Sequence, residues 1–174
     1  MKYAKFFRIS LITVLAVITF CQYSTAQNNT ENKNAAKKQA FKTMVDSQHF
    51  VFVAQSVTPL RGQFRNLTSE YDVTVLKDTL VSYLPYFGRA FTAPLNPTES
   101  ALDFTSTDFS YSVSPNKKSG WDVVIKPKNN NNVLQFQFAI YDNGSANLSV
   151  TFISRDPISF NGYIKKEAKK KKKK

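Results

Sequence analysis

Residues 134–153 read LQFQFAIYDNGSANLSVTFI, and this stretch decides the fold. Leu134, Phe136, Phe138 and Ile140 alternate with Gln135 and Gln137. Successive side chains of an extended strand point to opposite faces, so the spacing gives one apolar and one solvated face. Asp142-Asn143-Gly144 is the strongest hairpin signal in the chain, because Asn-Gly tolerates the positive φ angles of a type I′ turn. A second strand over 146–153 then returns antiparallel to the first.

The same grammar extends in both directions. Downstream, Asp156-Pro157 is turn chemistry and 158–164 is another strand. Upstream, Trp121, Val123 and Ile125 alternate with Asp122 and Lys126, and Phe109, Tyr111 and Val113 alternate with Ser110 and Ser112. Ser106-Thr107-Asp108, 115–120 and 129–132 punctuate them. Further strands are predicted over 79–84, 71–76 and 49–57, the last broken by Pro59 and Gly62. Only residues 35–47 have helical spacing, with Ala36, Ala40, Phe41, Met44 and Val45 forming a stripe opposite Lys37, Lys38 and Lys42. Short connections force neighbouring strands antiparallel. The expected fold is therefore mainly β, an antiparallel meander forming a barrel-like or sandwich-like domain, with one N-terminal α-helix packed against it.

The two ends of the chain read differently. Lys2, Lys5 and Arg8 precede an apolar run over 9–20, too short to span a bilayer as a mature helix, and Ser24-Thr25-Ala26 supplies the small residues a signal peptidase reads. The expectation is an exported protein, periplasmic or secreted, cleaved after Ala26. A lipid anchor at Cys21 is the alternative, and Phe20 is a poor neighbour for it. Cleavage removes the only cysteine, so the core must supply the stability. The expected organisation is a signal peptide over 1–26, a flexible leader over 27–34, one β-rich domain over 35–164 and a disordered lysine-rich tail over 165–174. Between Gln27 and Ile164 there are 13 Lys+Arg and 11 Asp+Glu, a balance of +2, so the formal +12 belongs mostly to the ends.

The segment Ser82-Tyr83-Leu84-Pro85-Tyr86-Phe87-Gly88-Arg89-Ala90-Phe91 resembles the signature of an exported Bacteroidetes family, domain of unknown function 4251. The likeness continues through Leu102-Asp103-Phe104, Gly120-Trp121, the Gly144 hairpin and Arg155-Asp156-Pro157-Ile158-Ser159-Phe160-Asn161-Gly162. The resemblance implies a secreted or lipid-anchored envelope protein with a mostly antiparallel β domain, and it implies no activity. The chain departs from the lipid-anchored members at Phe20, and from the usual ending in its lysine tail.

Candidate chemistry is sparse. His49 is the one histidine, so no His-His metal pair exists, and no Gly-x-Ser-x-Gly elbow or phosphate-cradling glycine loop occurs. No catalytic residue, metal or cofactor is assigned. Asp103, Asp108 and Asp122 could supply the carboxylate pair of an envelope glycan hydrolase, but they alternate with core aromatics and so face solvent. The best candidate surface lies around Leu84 to Phe91. Tyr83, Tyr86, Phe87 and Phe91 flank Arg89, with Arg155 in the last inter-strand turn. Rings supply contact area at low entropic cost and a guanidinium fixes orientation. A competing reading has the same rings plugging the core, as most aromatics of small β domains do, with the arginines pairing carboxylates or capping carbonyls.

The expected function is that of a non-enzymatic envelope domain binding a small molecule or an envelope protein. Hydrolysis is the runner-up. Lys169 to Lys174 could contact an anionic surface, or form only a solvated extension. Nucleic-acid motifs are absent, and no transmembrane helix is expected after cleavage.

Overall fold

A computed structural model gives the architecture and describes residues 33–91, 100–117, 119–130 and 132–167. The expected signal peptide over 1–26 and the six terminal lysines lie outside the described residues. The chain divides after Lys37. Before that boundary the described residues 33–37 are helical and exposed. The unit from Lys38 onward continues this helix, α1 (33–46), and adds nine strands. These are β1 (Phe50–Pro59), β2 (Arg65–Val75), β3 (Leu80–Tyr83), β4 (Asp103–Ser106), β5 (Phe109–Pro115), β6 (Gly120–Pro127), β7 (Val133–Tyr141), β8 (Ser145–Phe152) and β9 (Ile158–Lys165).

The strands lie in the order β4-β3-β2-β1-β9-β8-β7-β6-β5, in a nearly closed barrel, so the meander closes as a barrel rather than a sandwich. Every neighbouring pair is antiparallel. Nine strands paired this way leave the two edges, β4 and β5, running in the same direction. Yet only Thr107 and Asp108 separate them, whereas parallel neighbours need a crossover of a dozen or more residues. β4 and β5 are therefore two halves of one bent strand, the first paired to β3 and the second to β6. β1 meets β9 on the other side, with Val51 opposite Lys165 and Pro59 opposite Ile158.

Alternation fills the interior. Trp121, Val123 and Ile125 of β6, Phe136, Phe138 and Ile140 of β7, and Leu148, Val150 and Phe152 of β8 are all buried. Phe50 and Phe52 cross Phe138 edge-to-face at 5.8 and 5.6 Å between ring centroids, a favoured aromatic geometry. Where β1 bulges between Ala54 and Ser56, β9 carries Gly162. A Cβ there would stand 1.9 Å from the Val53 carbonyl oxygen.

Four expectations need correction. β4 and the first half of β2 were not legible as strands. Leu134 is exposed, because a bulge between Val133 and Gln135 turns Val133 into the core instead. Ala36 and Ala40 are also exposed, so the apolar stripe of the helix narrows to Phe41, Met44 and Val45. The hairpin at Asp142-Asn143-Gly144 forms, but Gly144 alone adopts positive φ (85°) and its N–H reaches the Tyr141 carbonyl at 2.9 Å. That is a three-residue connection with a left-handed glycine rather than a type I′ turn.

The two barrel ends differ. One gathers the β2–β3, β5–β6 and β7–β8 turns under α1. Val45 is fully buried there, Tyr111 donates its hydroxyl to the Val45 carbonyl at 2.8 Å, and Lys38 pairs with Asp142 at 2.8 Å. The other end gathers the β1–β2, β3–β4, β6–β7 and β8–β9 connections.

Candidate functional site

The loop end is built around the segment that follows β3. Pro85 has no N–H to donate, so the ladder stops there. Leu84 is buried, its N–H bonds the Leu102 carbonyl at 3.3 Å, and Ser100 donates to the Leu84 carbonyl at 2.7 Å. Ser82, fully buried, donates to the Leu102 carbonyl at 2.7 Å. These bonds pin the segment where it leaves the barrel.

It is pinned a second time to the β8–β9 connection. The Phe91 N–H bonds the Ser154 carbonyl at 2.9 Å, the Asp156 N–H bonds the Arg89 carbonyl at 3.0 Å, and Ala90 bridges Arg155. Tyr86 lies between the two. Its hydroxyl is shared between the carbonyls of Asp156 (2.9 Å) and Arg89 (3.0 Å), and its ring meets Phe152 at 5.0 Å, steeply inclined. The Arg155 guanidinium covers that ring at 5.3 Å, a cation–π contact. Burial pushes the Tyr86 hydroxyl above the ordinary tyrosine range, and Arg155 partly opposes the shift. Gly88 is required by space: a Cβ would stand 2.2 Å from the Tyr86 hydroxyl oxygen.

The six candidates therefore divide. Tyr86 and Arg155 come together as the clamp. Phe87 and Phe91 stand in solvent, Phe87 beneath the Arg65 guanidinium at 5.0 Å. Arg89 contributes its backbone to the clamp while its side chain is exposed, with no ion-pair partner among the described residues. Tyr83, half exposed, lies against Tyr71 at 5.4 Å.

A family model of a domain of unknown function, DUF4251, matches residues 32–164. The chain belongs to the DUF4251 family. A crystal structure of a DUF4251 protein from Bacteroides eggerthii is similar in fold, with a TM-score of 0.55 at 15% identity over 76% of this chain and 89% of that one. No curated protein matches the chain.

Of the three candidate aspartates of this DUF4251 domain, Asp108 and Asp122 stand apart. Asp108 pairs with Lys128 at 2.9 Å, and Asp122 accepts from Asn116 at 2.6 Å. Asp122 sits opposite Ser114, six residues along the strand from Asp108, a span of roughly 20 Å at a strand's rise per residue. A glycosidase pair needs about 5–9 Å. Among the described residues no three His, Cys, Asp or Glu side chains group as metal ligands.

Sequence reasoning missed Leu60, Arg61 and Phe64 of the β1–β2 connection, Arg65 at the start of β2, and Ile153 of the β8–β9 connection. The signal was available: two apolar residues, each followed directly by an arginine, in a Gly-containing turn. The Leu60 N–H bonds the Pro157 carbonyl at 3.3 Å, which joins this connection to the β8–β9 connection.

Proposed function

We propose that this DUF4251 chain is an exported, non-enzymatic binding domain whose partner seats on the loop end of the barrel. Phe87, Phe91 and Arg89 make the contacts, and Tyr86 with Arg155 holds them in place. One observation carries this reading: exposed aromatics and an exposed arginine stand on a segment fastened at both ends, so little order has to be gained on binding. The barrel interior is packed with phenylalanines, which favours the rim over the interior as the contact region. The export leader supports a location in or beyond the envelope.

The test is a binding screen of the mature chain against envelope glycans, small metabolites and envelope proteins. Arg89→Ala and Phe91→Ala are expected to weaken the bound ligand at least tenfold, about 1.4 kcal/mol, with unchanged thermal stability. A ligand bound equally well by both variants would remove the reading.

A further inference from the structure

We infer that the loop end docks on an anionic lipid surface, an assignment that rests on the binding role just proposed and names its partner. The chain has five arginines, Arg8 and four others: Arg61, Arg89 and Arg155 sit in the connections of this end, and Arg65 opens β2 beside them. None of the four pairs with a carboxylate among the described residues. The lysines differ: Lys128 at this end pairs with Asp108, and at the opposite end Lys38 pairs with Asp142 and Lys42 with Asp46.

Each of these arginines follows an exposed apolar side chain by one or two residues. Leu60 precedes Arg61, Phe64 precedes Arg65, Phe87 precedes Arg89 and Ile153 precedes Arg155. Those apolar side chains, with Phe91, are 40% to 67% exposed. Backbone bonds tie their connections together: Leu60 to Pro157, Phe91 to Ser154 and Ile153 to Asn132. The result is a rim with alternating apolar tips and guanidinium groups of a single sign.

That alternation fits a bilayer interface. Apolar tips enter the boundary between headgroups and acyl chains, while guanidinium forks take lipid phosphates two oxygens at a time. A soluble anion would be met by cations converging on a recess, and it would leave the apolar tips in water. A protein partner would call for one contiguous apolar centre with charge at its margin. Here charge and apolar side chains are interleaved instead.

β9 finishes beside the start of β1 and Glu167 reaches His49, at the end opposite the rim. A deletion that begins at 168 removes no rim residue. The test is sedimentation of the full mature chain with vesicles of phosphatidylethanolamine and phosphatidylglycerol, against vesicles of phosphatidylcholine alone. Binding is expected only to the anionic vesicles. Each cation near such a surface is worth about fivefold in partition, so Arg61→Gln with Arg65→Gln should weaken binding about 25-fold. Phe64→Ser with Phe91→Ser should abolish it, and deletion of 168–174 should leave most of it. Phe91→Trp should show a shift of emission to shorter wavelength on binding that the parent, with Trp121 alone, does not show.

No anionic vesicle binding, binding lost with the tail but kept by the rim variants, or rim-dependent binding only to an envelope protein would each overturn the inference. If vesicles are ignored while Arg89→Ala still weakens a soluble ligand, the lipid assignment falls and the binding role stands.

Discussion

Replacing Gly88 by Ala should unseat Tyr86, and its cost should depend on whether Tyr86 is present. The new Cβ would lie 2.2 Å from the Tyr86 hydroxyl oxygen and 2.5 Å from Cζ, and its three nearest atoms all belong to that ring. To reach ordinary contact the ring must move by about 1 Å, which strains its seat on Phe152 and breaks the bond to the Asp156 carbonyl; such overpacking costs about 1–3 kcal/mol. Tyr86→Phe isolates the hydroxyl. It leaves the Arg89 carbonyl bonded by the Asp156 N–H but strips the carbonyl of Asp156, a buried residue, of its hydroxyl donor, a loss of about 1–2 kcal/mol. Tyr86→Ala also forfeits the ring and should cost about 3 kcal/mol or more.

Once the ring is gone, Gly88→Ala meets no Tyr86 atom. It should then be neutral or slightly stabilising, because alanine restricts the unfolded chain more than glycine does. The coupling between the two positions should exceed about 1.5 kcal/mol. With an m-value of about 2 kcal/mol/M, urea melts of the four proteins resolve it as midpoint differences of about 0.7 M. Hydrogen exchange should locate the damage at the amides of Phe91 and Asp156, which bond Ser154 and Arg89 across the clamp. An equal cost for Gly88→Ala in both backgrounds would refute the clamp.

Other perturbations probe the rest of the domain. Gly162→Ala drives a Cβ to 1.9 Å from backbone at the β1–β9 pairing. Backbone cannot rotate away, so a loss of about 3 kcal/mol or more is expected by denaturant melt. Tyr111→Phe removes the hydroxyl bonded to the Val45 carbonyl and should cost about 1 kcal/mol. Burial raises the Tyr111 pKa, with the Asp46 charge adding to it, so the folded state favours the neutral phenol. Stability is then complete below the unfolded tyrosine pKa of about 10 and is lost as pH rises beyond it. Melting temperatures should fall less steeply above pH 10 in Tyr111→Phe. Asp142 is shifted the other way, below the usual carboxylate value, by hydrogen bonds from Lys38 and Ser119. Its contribution is present above the unfolded value and lost as pH falls through the folded one, so Asp142→Asn should flatten the acid limb of a pH titration of stability.

How much was legible follows from where burial alternates. β5, β6 and β8 stand out because every second residue is apolar, and Asn143-Gly144 marks a hairpin whatever its turn type. β4 escaped because its second inward residue is Ser106, buried and bonded to the Asp108 carbonyl at 3.1 Å, which hides the alternation behind a hydroxyl. The first half of β2 escaped because five of its six residues from Arg65 to Glu70 are exposed and only Leu67 is half-buried, so no apolar face exists to be read. At the candidate site the sequence marked the right segment but could not divide it into holder and held. Tyr86 and Phe87 look alike in sequence; what separates them is a carbonyl 70 residues away, at Asp156. Leu134 shows the opposite failure, a perfect alternation displaced by one bulge.

The pairing of β1 with β9 sets the order in which the molecule can become whole. The first strand to emerge has no second neighbour until the last has been delivered, so the cylinder stays open along that line through synthesis. Contacts between such remote parts of a chain form slowly, because a long loop must be closed before they repay its entropy. The cylinder is therefore completed by the last strand delivered, and its closure waits on nearly the whole of the described chain.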